Sequence, residues 1–301
     1  GKYSFQQVIM PKMKRALTWV LMFLLVLNLS IFGLYFYREA THALESYEWQ
    51  GPPIEGHWGK VTSSIDWCEK NYAVTIYIAE FWNTVSSFHF VLIALWTLWT
   101  YRTSELETRF KVGNLLLAFT GLGSMLFHGT LKRQTQLADE LPMGYVILSF
   151  FYITVCHTKN HLKWVLALSL YAVAFTAAML LSFNNFIFQL PVLIIVVYII
   201  CVHFKMFWTN DPLIDHTAWL LLVASFCFLF VGTMAWPLER LYCRQVHSLQ
   251  LHSWWHIGTG CAVHLFFQAW VHMRLRARNI DGKLVFVGGL LPITVRAPKQ
   301  K

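Results

Sequence analysis

The sequence predicts an all-α polytopic membrane protein: a seven-transmembrane helix bundle with an additional N-terminal transmembrane anchor helix. Three observations predict it. Of 301 residues, 56% are hydrophobic and 17% aromatic but only 13% charged, about half the charged share of an ordinary soluble domain. Apolar runs of about twenty residues recur along the chain, each long enough to cross a hydrocarbon core of about 30 Å. The Lys and Arg residues behind the net charge of +9 fall in short clusters between those runs rather than in one basic stripe. That distribution speaks for membrane topology and against a nucleic-acid partner.

The first apolar run, 16–37, follows Lys12, Lys14 and Arg15 and exceeds the roughly 7–15 residues of a signal-peptide core. A retained signal anchor is therefore expected, with residues 1–37 forming a cytoplasmic N terminus and the extra span. Residues 38–79 are polar and contain Gly51-Pro52-Pro53 and Gly56, a composition of loops and turns. Seven spans follow at 81–101, 112–130, 140–156, 163–181, 186–207, 217–236 and 252–273, giving a seven-helix unit over 80–278 and a cytoplasmic tail over 279–301. Arg102, Arg109 and Lys111, then Lys159 and Lys163, then Lys205, then Arg274, Arg276 and Arg278 mark alternate connections as cytoplasmic. The opposite connections are poorer in positive charge, with Lys132-Arg133 the exception. Eight crossings return the C terminus to the cytoplasm and leave segment 38–79 in the lumen or outside. Cys68 and Cys243 share that side, where a disulfide and two free thiols are the alternatives. Cys156, Cys201, Cys227 and Cys261 lie inside apolar runs as small hydrophobes.

The sharpest chemical signal is His252-Ser-Trp-Trp-His256. Histidines four apart on a helix put both imidazoles on one face, which suits two ligands of a tetrahedral metal; buried interfacial histidines beside Trp254 and Trp255 are the plainer alternative. Ser253 stands where an HExxH motif has its glutamate, so a general base must come from elsewhere. His128, near the outer end of its span, lies at the same depth and supplies a third imidazole. An ionisable residue at that depth is costly and usually marks function or a buried partner. Three imidazoles make a catalytic zinc geometry with the fourth position open for water. Ser124, one turn before His128, is placed to donate to an oxyanion, and Asp139, opening the next span, to take a proton. Taken singly, Ser124 reads as helix packing and Asp139 as an N-cap. Asp66, Glu69 and Asn71, with Glu80 further on, suit a hard oxygen-liganded cation but do not follow EF-hand spacing; on composition they form a solvated acidic loop. His89, His264 and His272 have no comparable partners in the sequence and read as packing residues.

These residues sit within five stretches, 62–72, 77–83, 123–132, 136–143 and 252–260, that in this order resemble the alkaline ceramidases. That family belongs to a superfamily of seven-helix membrane hydrolases that also holds progestin/adiponectin-type receptors. The resemblance covers roughly 58–278. It implies Zn2+ held by His128, His252 and His256, with Ser124 and Asp139 catalytic. It also implies Ca2+, structural or regulatory, held by Asp66, the Trp67 carbonyl, Glu69, Asn71 and Glu80, and a Cys68–Cys243 disulfide. The implied activity is intramembrane, zinc-dependent hydrolysis of ceramide to a sphingoid base and a free fatty acid, with a zinc-activated water as nucleophile, in the endoplasmic reticulum or Golgi. The implied metal sites face the lumen. A zinc-containing lipid receptor and a hydrolase of another lipid amide or ester are the rival readings. Departures are the anchor at 16–37, Gly129, Ala138 and a short loop between Cys243 and His252.

Overall fold

The computed structural model describes residues 5–41, 55–102, 106–156, 162–287 and 291–296. The turn expected at Gly51-Pro52-Pro53 and the charge at Lys159 lie outside them. Eight long helices make the bundle: α1 (Phe5–Ala40), α2 (Phe81–Thr100), α3 (Thr108–Thr130), α4 (Arg133–Val155), α5 (Leu162–Leu181), α6 (Phe186–Trp208), α7 (His216–Leu241) and α9 (Leu251–Ala277). A short α8 (Cys243–Val246) and one 3-10 turn link α7 to α9, and the chain ends in an antiparallel hairpin, β1 (Gly282–Val287) with β2 (Leu291–Arg296).

Six of the described helices, α1 (over Ala16–Ala40), α2, α3, α5, α6 and α7, are long and apolar enough to cross a membrane. The other two expected spans, α4 and α9, are long enough but carry buried polar faces: Gln136, Asp139 and Glu140 on α4, and His252, His256, His264, Gln268 and His272 on α9. Their polarity is turned inward. Large apolar side chains such as Phe119, Leu170 and Val231 point outward instead, as expected of helices whose periphery meets lipid.

The core lies between α2, α3, α4, α6, α7 and α9. Small residues set the closest approaches, as is usual where helices pack within a bilayer. A Cβ on Gly258 would lie 2.9 Å from the Cα of Gly232, so α7 and α9 meet backbone to backbone. A Cβ on Gly123 would lie 2.0 Å from the carbonyl oxygen of Ala138, which brings α3 against α4. Pro142, four residues on, lacks the N–H that would bond that carbonyl within the helix.

Three features differ from the sequence expectation. Helix α4 begins at Arg133 rather than near 140, so Asp139 sits in its second turn and is not a cap. Helix α1 runs beyond 16–37 at both ends. The segment expected as a tail carries the hairpin, an element the sequence reading did not name: Ile293 and Thr294 are buried, Thr294 N–H donates to Gln268 Oε1 (2.9 Å), and the Tyr101 hydroxyl bonds both Gln268 and the Thr294 carbonyl. The hairpin thus closes the end of the bundle where Glu107 pairs with Arg109, Arg274 and Arg278.

Candidate metal centre

At the opposite end, residues 55–80 fold over the mouths of α2, α3 and α9. Backbone N–H groups of Ala79 and Glu80 donate to the carbonyls of Gly129 and His128, and those of Thr62 and Ser63 to the carbonyl of Leu131. Leu131, at φ 50°, turns the chain sharply between α3 and α4. The disulfide joins Cys68 of this loop to Cys243, Cα to Cα 5.7 Å. Glu239 ties the same region together, accepting from the amides of Cys68 (3.0 Å) and His252.

His128 from α3 and His252 and His256 from α9 converge here. Their ring centroids lie 4.9, 5.0 and 4.6 Å apart, all three are buried, and each offers a ring nitrogen within 4.8 Å of the others. In His128 and His256 the second nitrogen is taken up by a neighbour. His128 Nδ1 lies 2.5 Å from Glu80 Oε2, and His256 Nδ1 lies 2.7 Å from the Ser86 hydroxyl. His128 Nε2, His256 Nε2 and His252 Nδ1 have no partner among the described residues. Three buried imidazoles aiming unpartnered nitrogens at one point are the donor set of a divalent transition metal, and a carboxylate on the far nitrogen of a ligating histidine is its usual support. The residues fit zinc. Trp67 stacks on His252 at 3.6 Å and Trp255 lies on it at 5.1 Å, fixing the ring.

Ser124, one turn before His128 on α3, hydrogen-bonds Asp139 and accepts from the Ser87 hydroxyl at 3.0 Å. The close approach of α3 and α4 at Gly123 makes that contact. Asp139 Oδ1 has no partner among the described residues. Asp139 and His252 line a cavity of about 180 Å³ whose walls are otherwise mostly apolar, from α1, α2, α3, α4, α6, α7, α9 and the loop over 55–80.

The acidic residues form a patch beside the triad. Asp66 and Glu80 carboxyls are in contact, Glu80 Oε1 accepts the Trp67 amide (2.9 Å), and Asn71 Nδ2 donates to both Asp66 oxygens (3.1 Å). Asn71 Oδ1 is buried and unpartnered. Glu69 instead turns to the start of α2, accepting from the amides of Trp82 (2.7 Å) and Asn83 (2.9 Å). Burial pushes the Asp66 carboxyl up to about 7, the Glu80 charge adding to it, and burial likewise raises Glu69 and Glu80 to about 7. Arg240, which donates to the Asp66 carbonyl (2.9 Å), pulls Asp66 and Glu80 the other way but does not outweigh burial.

The sequence reading missed Glu80 as the partner of His128, and also Asn83, Ser86 and Ser87. Asn83 donates to Glu80 Oε2 (3.0 Å) and accepts from Ser253 (2.9 Å), so the residue in the place of a catalytic glutamate joins α9 to the His128 support. Glu80, Asn83, Ser86 and Ser87 share helical spacing, the one signal that marks them. His89, His264 and His272 stand apart from the site. His272 pairs with Asp215 (2.9 Å), the N-cap of α7, and His264 lies 3.0 Å from the Pro292 carbonyl.

Comparison with known proteins adds the following. The sequence model of the Ceramidase family matches residues 59–292. The chain is 30% identical over 266 residues to alkaline ceramidase 3 of Mus musculus, covering 82% of this chain and 97% of that protein. It is 29% identical to alkaline ceramidase YPC1 of Saccharomyces cerevisiae, covering 80% and 86%, and 29% identical to the alkaline ceramidase of Arabidopsis thaliana, covering 82% and 98%.

Proposed function

The chain belongs to the ceramidase family, and from that membership we propose that it hydrolyses ceramide, with water, to a sphingoid base and a fatty acid, using the triad His128, His252 and His256 to hold zinc. One observation carries the reading: the three imidazoles stand beside Asp139 and Ser124 at one end of a largely apolar cavity. Zinc in that position supplies Lewis acidity, drawing electron density from the amide carbonyl and making nearby water more acidic.

The chain's own residues do the rest. The apolar walls keep both lipid chains in surroundings like the bilayer from which the substrate enters, and only the amide region meets polar groups. Asp139 is the base: its free oxygen takes a proton from the attacking water as the new C–O bond forms, then returns it to the amine as the C–N bond breaks. Ser124 has one hydroxyl proton, directed at Asp139 before reaction. Once Asp139 is protonated it no longer needs that proton, and Ser124 turns it to the oxyanion. Glu80 and Ser86 hold the histidine rings in the tautomers that leave Nε2 free.

Calcium is the proposed occupant of the acidic patch, held by Asp66, the Trp67 carbonyl, Glu69, Asn71 and Glu80. The elevated carboxyl pKa values and the unpartnered Asn71 oxygen support it. The endoplasmic reticulum or Golgi is the proposed location, with the metal sites luminal and the C terminus cytoplasmic. The Arg-rich end at Arg102, Arg109 and Arg274 supports that orientation, and the disulfide at the other end supports an oxidising compartment.

The test is hydrolysis by purified protein in lipid. Equal amounts of sphingoid base and fatty acid are expected from ceramide, with kcat lowered about 10²–10⁴-fold by Asp139→Asn. No sphingoid base from zinc-loaded wild type would overturn the reading.

A further inference from the structure

The cavity contains a polar group for which the chemistry above has no use. Gln189 lies in the first turn of α6, at the site end of the bundle, where Asn185 next to it accepts from Ser64 of the loop over the metal centre. Its side chain is 3% exposed and lines the cavity with Asp139 and His252. Gln189 Nε2 donates to the Tyr35 hydroxyl (3.2 Å). That contact holds the amide with its nitrogen on Tyr35 and its oxygen free. Gln189 Oε1 meets no donor among the described residues, an unusual condition for a buried acceptor.

The neighbouring cavity residue Asn28 shows what a purely structural amide looks like in this wall. Its nitrogen donates to the carbonyls of Leu24 and Phe230, and its oxygen accepts from Thr233, so nothing is left over. Among the unpartnered polar atoms lining the cavity, Trp67 and Trp236 present indole N–H donors and His252 presents the nitrogen assigned to the metal. Two carbonyl-type acceptors remain, Asp139 Oδ1 and Gln189 Oε1. The first is occupied in the reaction. The second is matched by a ligand that brings an O–H donor to the polar end of an apolar cavity, and a sphingoid base carries such hydroxyls within a few bonds of the amide.

We propose that Gln189, held by Tyr35 of α1, is a specificity-determining residue whose Oε1 accepts a hydrogen bond from a hydroxyl of the substrate's sphingoid base. The proposal rests on the ceramide reading above. It gives α1, which precedes the family-matched residues 59–292, a part in substrate choice: it orients the amide through Tyr35 and supplies cavity wall through Leu25 and Phe32.

The test compares kcat/KM for ceramide, its 1-deoxy analogue, its 3-keto analogue and phytoceramide in wild type, Gln189→Met and Tyr35→Phe. A site with a dedicated acceptor discriminates against the substrate that lacks the donor. Wild type is expected to favour the hydroxylated member of one pair by about tenfold, and Gln189→Met to reduce that ratio to within about twofold, with zinc content unchanged. Tyr35→Phe, which frees the amide to rotate, shifts the same ratio in the same direction and carries the test if Gln189→Met fails to fold. Ratios that stay at wild-type values in folded variants overturn the proposal and leave ceramide hydrolysis standing. A wild type that cleaves none of the four overturns both.

Discussion

Each imidazole has two nitrogens, and a metal site needs one of them bare and the other held. His128 is the clearest case, because its Nδ1 faces the buried Glu80 carboxylate at 2.5 Å while its Nε2 faces the other two rings. Once ionised, Glu80 can only accept, so it requires the proton on Nδ1 and leaves Nε2 as a lone pair. Glu80→Gln removes that requirement, since the amide can donate to Nδ1 and favour the wrong tautomer. Zinc affinity, read by competition with a chromogenic chelator, is expected to fall about 10–100-fold in this variant; unchanged affinity would show that Glu80 has no say in the tautomer. The triad itself was legible in the sequence, from one i, i+4 pair and a third histidine at the same depth. The resemblance implied only a calcium-binding role for Glu80, and its contact with His128 went unread because it spans 48 positions and no local spacing announces it.

Helix α4 shows how an element positions the chemistry. Its first turns, Arg133 to Glu140, are polar enough to read as a connection, yet they are helical and buried on the face that carries Gln136, Asp139 and Glu140. The sequence reading therefore shortened the helix, and hydropathy passes over α4 and α9 for the same reason: polar residues turned into a protein interior lower the average without meeting lipid. The contact that delivers Asp139 to Ser124 depends on Gly123. Gly123→Ala forces a Cβ to 2.0 Å from the Ala138 carbonyl, a backbone atom that cannot swing aside. Overpacking of this kind costs about 1–3 kcal/mol, and because the strain is relieved by separating α3 from α4, activity is expected to fall further than thermal stability. An alanine variant with full kcat would mean that the helices have slack here. The hairpin went unread because its strands are too short and too mixed to stand out beside the spans, and its partners Tyr101 and Gln268 are distant in sequence.

At the scale of the whole molecule, the loop over residues 55–80 and the bundle are held by the disulfide, by Glu239 and by the acidic patch, so the patch ought to govern stability as well as the site. Asp66, Glu69 and Glu80 all have folded-state pKa values raised to about 7 by burial, above their unfolded values near 4. The stability they contribute is therefore fully present below about pH 4 and is lost as pH rises through about 7. A bound calcium ion adds the positive charge that Arg240 alone does not supply and removes the loss. In a calcium-selective chelator the unfolding temperature is expected to drop between about pH 5 and about pH 8, and in calcium that drop should vanish. The same slope with and without calcium would argue that the patch holds no cation.

The account stands on three imidazoles from two distant stretches of chain acting as one ligand set. Metal analysis of purified wild type and of His252→Ala addresses that most directly. About one zinc per chain is expected in the wild type, and none in the variant with its helical content and Cys68–Cys243 disulfide intact. Full zinc occupancy in folded His252→Ala would place the metal elsewhere and contradict the account.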